Sequence, residues 1–345
     1  MNKRSIYLLL ALLCLAPAAG AANPSDILWL SDVAPKRVKK AAETGHANHD
    51  KTGKQKDNLD AVIGGEEGGS LHSGDKRLWL RQGDDPASAG YVNAATLSSE
   101  FNLIDAKGNR SQVAQTPMGE LAHARFEFED MGFYNAHVSR ESVQDGVLRV
   151  QLAKAELLKG SCCQKTRDID PAQLKAISDP VLPLEIVREH KPDEKLFTRM
   201  VSGDKIRFTV NRLGKPMPGV PVTMLTQQGW QKKAASDENG RVEFTLIRDY
   251  FPAWNDFKRR TKQTFVIVAE TEAAESGTHQ GRPYAKVHYQ ATLSGKYAPS
   301  PYDYKSYAWG LGVAVFVFAF GGLGVYLYRR RRVKPFQEVR FDEKS

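Results

Sequence analysis

Histidines in a polar stretch near the N-terminus are the first residues whose spacing indicates chemistry. His46 and His49 are separated by two residues, and His72 follows in the same stretch, at about 35–76. The stretch is rich in lysine and glycine and has too few apolar residues to build a core, so we expect a disordered loop. Histidines on a flexible loop can capture a divalent metal ion. The alternative is that all three side chains are simply solvated.

A second pair of histidines lies on two predicted strands. Residues 122–128 and 134–138 alternate apolar and polar side chains on either side of a glycine-containing turn, which predicts a β-hairpin. When the apolar faces are aligned, His123 and His137 become diagonal neighbours on the polar face, about 7 Å apart at the backbone. Two imidazoles at that distance can share a metal ion. The alternative is an ordinary solvent-facing position for each.

Two adjacent cysteines, Cys162 and Cys163, are a third candidate. In an oxidising compartment they can form a strained vicinal disulfide, remain a thiol pair or join two chains, and as thiolates they are soft metal ligands. If these residues hold a cofactor, we expect a divalent transition metal, namely nickel, cobalt, copper, zinc or iron. The alternative is that the protein has no cofactor. The candidate ligands are His46, His49, His72, His123, His137, Cys162 and Cys163.

No catalytic motif accompanies these residues. The chain has no Gly-x-Ser-x-Gly elbow, no His-Glu-x-x-His zinc motif and no phosphate-binding P-loop. Glu127 and Glu129 share a strand face, which without a cleft is an ordinary solvated face. We therefore predict that the protein is not an enzyme.

The N-terminus predicts export. Lys3 and Arg4 precede an uncharged apolar run at 6–15 and a zone of small residues that ends at Ala22. These are the three parts of a cleavable signal peptide at 1–22, and the apolar run is too short for a transmembrane helix.

An apolar segment near the C-terminus predicts a membrane anchor. Residues 308–328 carry no charge, and at about 1.5 Å per residue they reach about 30 Å, the thickness of a bilayer core. Four arginines follow at 329–332, which predicts by the positive-inside rule that the tail 329–345 is cytoplasmic. The net charge of +9 lies partly in the two ends of the chain, so we expect no nucleic-acid partner. The expected location is the cytoplasmic (inner) membrane, crossed once.

Between these ends the pattern is all-β. Short alternating segments are separated by turns, and a near-continuous apolar run at 265–269 suits a strand buried on both faces. Asp170 and Pro171 predict the start of a short helix at 171–177. We therefore predict two tandem immunoglobulin-like or transthyretin-like β-sandwich domains and one transmembrane helix. The expected division is a first domain at 23–160 with an insert at about 35–76, a connector at 161–182, a second domain at 183–297, a stalk at 298–307, the helix at 308–328 and the tail at 329–345.

Residues 183–271 carry turn motifs in a recognisable order. They are Pro-Leu-Glu-Ile-Val at 183–187, Gly-Asp-Lys-Ile at 203–206, Gly-Lys-Pro-Met-Pro-Gly-Val-Pro-Val at 214–222 and Ser-Asp-Glu-Asn-Gly-Arg-Val-Glu-Phe at 236–244. This stretch resembles a family of exported β-sandwich domains of unknown function found as the periplasmic component of cobalt or nickel uptake systems. Its second half is similar to transthyretin-like and carboxypeptidase-regulatory domains.

The resemblance implies a periplasmic accessory or binding protein for transition-metal uptake, with an envelope transporter or receptor as its partner. Members of that family often begin the mature chain with a histidine before an aromatic-rich strand, whereas here Ser25 and Asp26 precede Trp29. The alternative function is a structural or protein-interaction β-sandwich module of the cell envelope that binds no metal. The two hypotheses differ in whether the candidate ligands converge.

Overall fold

The computed structural model describes residues 27–35, 75–97, 101–115, 120–159, 170–191, 199–250 and 262–332. The predicted signal peptide, most of the polar insert, the cysteine pair and the tail beyond 332 lie outside these ranges. The chain divides into two compact units, Met1–Ala298 and Pro299–Ser345. The described part of the first unit is built of β-strands, and the second contains one α-helix. The all-β prediction is therefore confirmed at the level of fold class.

The strands of the first unit follow one another along the chain, joined by turns and two described 3₁₀ helices. Their bounds are β1 (Leu28–Ser31), β2 (Asp75–Gln82), β3 (Gly90–Tyr91), β4 (Phe101–Ile104), β5 (Arg110–Val113), β6 (His123–Glu127), β7 (Gly132–Gln144), β8 (Val147–Lys159), β9 (Glu185–Glu189), β10 (Lys205–Arg212), β11 (Lys215–Pro216), β12 (Pro221–Thr226), β13 (Gln231–Ala235), β14 (Arg241–Thr245), β15 (Gln263–Ala273), β16 (Gly277–His279), β17 (Arg282–Tyr284) and β18 (Lys286–Tyr297).

An eight-stranded sheet with the order β13-β12-β15-β18-β8-β7-β4-β5 is the centre of this unit. Its neighbouring strands are antiparallel except for β18 and β8, which run parallel with Lys286 opposite Val147 and Ser294 opposite Ala155. This pairing joins a strand of the predicted first domain to a strand of the predicted second domain. The two predicted domains therefore share one sheet.

Two smaller sheets cover opposite faces of the large sheet. One contains β1, β2, β3 and β6, and the other contains β9, β10, β11 and β14. Successive side chains of a strand point to opposite faces, and β8 shows the result. Leu148 and Leu152 lie in a core with Phe208, whereas Ala153 and Ala155 lie in a separate core with side chains of β2 and β6. Long strands with two buried faces thus connect the two cores.

The predicted hairpin of 122–128 with 134–138 is wrong. Strand β6 pairs with β2 in a small sheet, while β7 pairs with β8 and β4 in the large sheet. The chain changes sheets between Glu127 and Gly132. Gly132 has a φ of 135°, and a Cβ atom there would lie 2.6 Å from the carbonyl oxygen of Gln173. The alternation identified both strands, but strands that follow each other in sequence are not always paired.

The first and last strands of the unit, β1 and β18, are held together by side-chain hydrogen bonds. The hydroxyls of Thr292 and Ser294 donate hydrogen bonds to the carbonyl oxygens of Leu28 (2.7 Å) and Leu30 (2.6 Å). Next to them, Lys296 forms an ion pair with Asp32 at 2.6 Å. These contacts hold β1 against β18. They thereby connect the small sheet that contains β1 to the large sheet.

The helix of the second unit, α1, extends over Pro301–Arg332. It begins before the predicted span 308–328 and includes 301–307, which we expected to form a stalk. Its segment Lys305–Arg332 is long and apolar enough to cross a membrane. Its large apolar side chains are exposed in this unit, as with Trp309 and Phe318, which fits a helix whose surroundings are lipid.

Candidate functional site

The predicted metal ligands fall into two groups. Five of them lie outside the described residues, so their prediction stands as it was made: His46, His49, His72, Cys162 and Cys163. The other two, His123 and His137, belong to different sheets. His123 lies opposite Trp79, and His137 lies opposite Asn102 and Lys154. The diagonal pair that the hairpin predicted is therefore not formed.

His123 is a packed core side chain. It is fully buried, although the strand pattern placed it on a solvated face with Arg125 and Glu127, which are indeed exposed. Its ring stacks on Trp79 with the centroids 5.7 Å apart. Its Nδ1 lies 3.1 Å from the carbonyl oxygen of Leu121, and its Nε2 has no hydrogen-bond partner among the described residues. These contacts describe an aromatic packing role.

His137 faces charged neighbours. Its Nε2 lies 3.2 Å from Nη2 of Arg110 and 3.8 Å from Oδ2 of Asp179. Burial and the adjacent Arg110 charge lower the pKa of His137 to about 4, against the opposing effect of Asp179. The ring is therefore neutral at physiological pH and accepts a hydrogen bond from the guanidinium. A cation already occupies the position that a metal ion on Nε2 would need.

Because His123 and His137 lie in different sheets, they cannot bind the same metal ion. Within the ranges that the structure describes, no group of three or more His, Cys, Asp or Glu side chains is arranged to hold a metal ion. The prediction failed for this pair because its register depended on a hairpin, and β6 and β7 pair with other strands.

Instead, charged and titratable side chains, most of them buried, meet where residues 170–190 cross the large sheet. We call this cluster the connector network, and its members are Arg110, His137, Lys154, Glu156, Asp179, Glu185, Arg188 and His190. The segment begins with a 3₁₀ helix at Pro171–Leu174, where the Asp170 carboxylate accepts a hydrogen bond from the Ala172 amide at 2.8 Å. The predicted cap is confirmed, and the helix is shorter than the predicted 171–177.

One part of the connector network is centred on Glu185. Its carboxylate lies 2.5 Å from the ammonium of Lys154, and both side chains are buried. The second carboxylate oxygen accepts hydrogen bonds from the Ser178 hydroxyl (2.7 Å) and the Asp179 amide (2.9 Å). Lys154 also donates to the carbonyl oxygen of Ile177 at 3.3 Å. The pair therefore fixes the connector backbone to β8 and β9.

Another part is centred on Glu156. Arg188 contacts it through Nε (3.0 Å) and Nη2 (2.9 Å), and Nε2 of His190 lies 3.1 Å from both carboxylate oxygens. Burial alone would raise the pKa of Glu156, but the charges of Arg188 and His190 lower it to about 2. Phe133 packs on the His190 ring with the centroids 4.1 Å apart. The carboxylate is thus held ionised and inaccessible.

A second polar array crosses four adjacent strands of the large sheet. Arg140 donates to the amide oxygen of Gln151 through Nε (2.9 Å) and Nη2 (2.6 Å). Gln151 donates to Gln290 at 3.0 Å, and Gln290 donates to Glu270 at 2.8 Å. The chain of bonds runs from a positive to a negative group, so each bond polarises the next. It ties β7, β8, β18 and β15 together across the predicted domain boundary.

A small concavity lies beside the Asp32–Lys296 ion pair. It encloses no space large enough for a water molecule, and its lining includes Trp29 and Thr264. Ligand pockets are usually about 300–1,000 Å³. The geometry does not indicate a small-molecule site here.

Sequence reasoning missed the connector network. Lys154 and Glu156 alternate with Ala153 and Ala155 on β8, a pattern that normally indicates a solvated face. The available signal was a cluster of charges on two strands flanking one connector, with Glu185 and Arg188 on the second. Lys154 and Glu156 reach their partners only in the folded chain, where residues 170–190 cover that face.

Comparison with known proteins adds little to this description. No protein-family model matches the chain, and no curated protein matches it. Among solved structures, the BSP domain of a biofilm-associated protein is 10% identical with a TM-score of 0.16, and the match covers 68% of this chain and 29% of that chain. An α-2-macroglobulin of Salmonella is 12% identical with a TM-score of 0.20, over 66% of this chain and 14% of that chain.

A third match is to an adhesin by which an Antarctic bacterium binds ice. It is 10% identical with a TM-score of 0.17, over 70% of this chain and 48% of that chain. The chain thus spans less than half the length of each of these structures. TM-scores this low identify neither a fold family nor a function.

Proposed function

We propose that this protein is a membrane-anchored accessory protein of the cell envelope that acts through contacts of its β-sheet unit with an envelope transporter or receptor. The observation that supports the proposal is that the buried charged groups pair with one another. The buried charges of the connector network are paired with one another, as in Lys154–Glu185 and Glu156–Arg188. They join β8 of the large sheet to β9 of a small sheet rather than open onto a cleft. Such a unit is a rigid scaffold for surface contacts.

The anchor and its orientation belong to the same proposal. Helix α1 has the length and composition of a membrane span, and Arg329, Arg330, Arg331 and Arg332 form its last turn. Retention of positive charge on the cytoplasmic side supports a β-sheet unit outside the cytoplasm. Together with the signal peptide predicted at 1–22, this supports a location at the periplasmic face of the cytoplasmic membrane.

Handling of a transition metal is the second candidate. It is supported by the His46-x-x-His49 spacing, by His72 and by the adjacent Cys162 and Cys163, together with the resemblance to metal-uptake components. Imidazole and thiolate are suitable ligands for nickel, cobalt, copper and zinc. His123 and His137 do not contribute, because they lie in separate sheets with other partners.

One experiment with two readouts tests these functions. A photoreactive amino acid is placed at the exposed positions Lys232, Arg207 and Lys286 in the full chain in its native membrane, with buried Val268 as the matched control. We expect a cross-link to one membrane protein from a subset of the exposed positions and none from Val268. The accessory function is contradicted if no exposed position gives a defined adduct.

The second readout is retained metal. The purified full chain is loaded in turn with nickel, cobalt, copper, zinc or iron, desalted, and analysed by mass spectrometry. Stoichiometric retention that is lost in a His46→Ala/His49→Ala/His72→Ala or a Cys162→Ser/Cys163→Ser variant supports metal handling. Retention that survives both variants, or no retention, rejects these ligands.

A further inference from the structure

Four consecutive arginines surround the end of helix α1. Arg329, Arg330, Arg331 and Arg332 are helical and exposed. Successive helical residues are about 100° apart and rise by about 1.5 Å, so four of them point in all directions around the axis within about one turn. We call them the arginine collar. A ring of charge at a single depth can contact partners on every side of the helix. A basic stripe, by contrast, would face one partner on one side.

Helix α1 itself places no carboxylate beside the arginine collar. No Asp or Glu occurs between Lys305 and Arg332, so no carboxylate of this segment neutralises it. The helix C-terminus carries a partial negative charge that favours cations at this position. The guanidinium of Arg332 lies 4.8 Å from the ring centroid of Tyr328, which holds it beside the aromatic residues at the end of the apolar segment.

The depth of the arginine collar selects its partner. The apolar segment before it matches the bilayer core in length, so its last turn falls at the level of the lipid headgroups when the helix spans a membrane. Guanidinium groups present paired N–H donors that match phosphate oxygens. Phosphate diesters are the groups found at that depth on every side of a helix.

We propose that the arginine collar binds anionic phospholipid headgroups, such as phosphatidylglycerol, in the lipid layer around the helix. This inference rests on the membrane anchoring in the proposed function. A basic cluster next to a membrane span gains roughly 1 kcal/mol per Lys or Arg near an anionic surface, which is about fivefold in affinity for each contact. The site recognises the phosphate and the net negative charge of the lipid.

The test uses the purified full chain reconstituted into phosphatidylcholine vesicles that contain a trace of spin-labelled phosphatidylglycerol or spin-labelled phosphatidylcholine. Electron paramagnetic resonance then measures the fraction of each label held at the protein. We expect phosphatidylglycerol to be preferred by at least about fivefold. An Arg329→Gln/Arg330→Gln/Arg331→Gln/Arg332→Gln variant should show equal association of both labels.

Two controls separate the explanations. A Lys232→Gln/Lys233→Gln variant removes exposed charge from β13 and should keep the wild-type preference. Raising the salt from about 0.1 M to about 1 M shortens the Debye length from about 10 Å to about 3 Å and should reduce the wild-type preference, which gives a result even if the glutamine variant does not insert.

Three outcomes would overturn the inference: equal association of both labels with the wild-type chain, an unchanged preference in the glutamine variant, or loss of the preference to inorganic phosphate at constant ionic strength. The last would assign the arginines to free phosphate. Failure of the wild-type chain to float with vesicles of either composition is a separate result, because it rejects the membrane anchoring and hence the proposed function.

Discussion

At the scale of single residues, buried charges are compensated by specific partners. Lys154 and Glu185 have side chains only 6% and 2% exposed, and Glu156 is enclosed by Arg188 and His190. Removing a charged group from water costs several kcal/mol, and only a close partner of opposite charge with further hydrogen bonds offsets that cost. Each member of the connector network therefore depends on its neighbours, and substitution of one partner should be more damaging than loss of a surface ion pair.

A Glu185→Gln substitution tests this dependence. It leaves the Lys154 ammonium buried opposite a neutral amide, so we expect the free energy of unfolding to fall by about 3–5 kcal/mol in urea titrations of the full chain. Glu243 pairs with Arg207 and Lys205 at the surface, and Glu243→Gln should cost far less, because solvent screens a surface ion pair. Equal losses of stability in the two variants would show that burial does not make the Lys154–Glu185 pair more costly to break than a surface pair.

His137 makes the fold sensitive to acid. Its pKa is lowered from 6.5 to about 4, so the unfolded chain binds more protons than the folded chain between these values. Stability should therefore fall as the pH falls through this range, by roughly 3 kcal/mol for the full shift. Glu156, with its pKa lowered from 4.5 to about 2, adds a further loss below pH 4.5.

A His137→Gln variant isolates the histidine contribution. The glutamine oxygen can still accept from Arg110 but does not titrate, so the decline of stability between pH 6.5 and 4 should be shallower than in the wild-type chain. Chemical denaturation at a series of pH values measures the two slopes. Parallel slopes would mean that protonation of His137 does not control the acid response.

At the scale of elements, the change of sheet between β6 and β7 organises the molecule. Gly132 begins β7 with a φ of 135°, and the connector backbone at Gln173 packs directly on it. The Tyr134 hydroxyl donates to the Asp130 carbonyl at 2.8 Å and accepts from the Asp130 amide at 2.9 Å. A glycine and a tyrosine thus direct the chain away from a hairpin and into the next sheet.

A Gly132→Ala substitution should be strongly destabilising, by more than about 2 kcal/mol, because it combines positive-φ strain with a backbone contact. Gly108 is the matched control, since its φ is 88° and an added Cβ atom meets nothing within 4 Å. Gly108→Ala should lower the free energy of unfolding only through the backbone strain of an alanine at positive φ, by about 1 kcal/mol. Thermal unfolding of both variants gives the comparison, and similar losses would exclude a role for the Gln173 contact.

At the scale of the whole molecule, the shared sheet makes the β-sheet unit one cooperative structure. Strands β8 and β18 pair over nine positions, from Lys286–Val147 to Ser294–Ala155, and the Arg140–Gln151–Gln290–Glu270 array crosses the same junction. Neither half can complete its sheet without the other. Two independent sandwiches, by contrast, would unfold separately.

We therefore expect a fragment of residues 23–298 to unfold in one transition, with tryptophan fluorescence and far-ultraviolet circular dichroism giving the same midpoint. Fragments 23–160 and 183–298 should each fail to fold alone, because β8 and β18 would expose unpaired edges. Two separated transitions, or a folded single fragment, would contradict this prediction and favour tandem domains.

The amino-acid sequence by itself indicated most of the long strands, the apolar helix and one buried face of those strands. The run at 265–269 is buried on both faces as expected, and Ala122, Ala124 and Phe126 face a core, because side-chain alternation is a local property of the strand backbone. Which strands pair, and which polar faces become covered, were decided only by the tertiary structure. His123, Lys154 and Glu156 lie at positions typical of a solvated face. Their burial depends on segments that lie distant in sequence and pack on them only after the chain has folded.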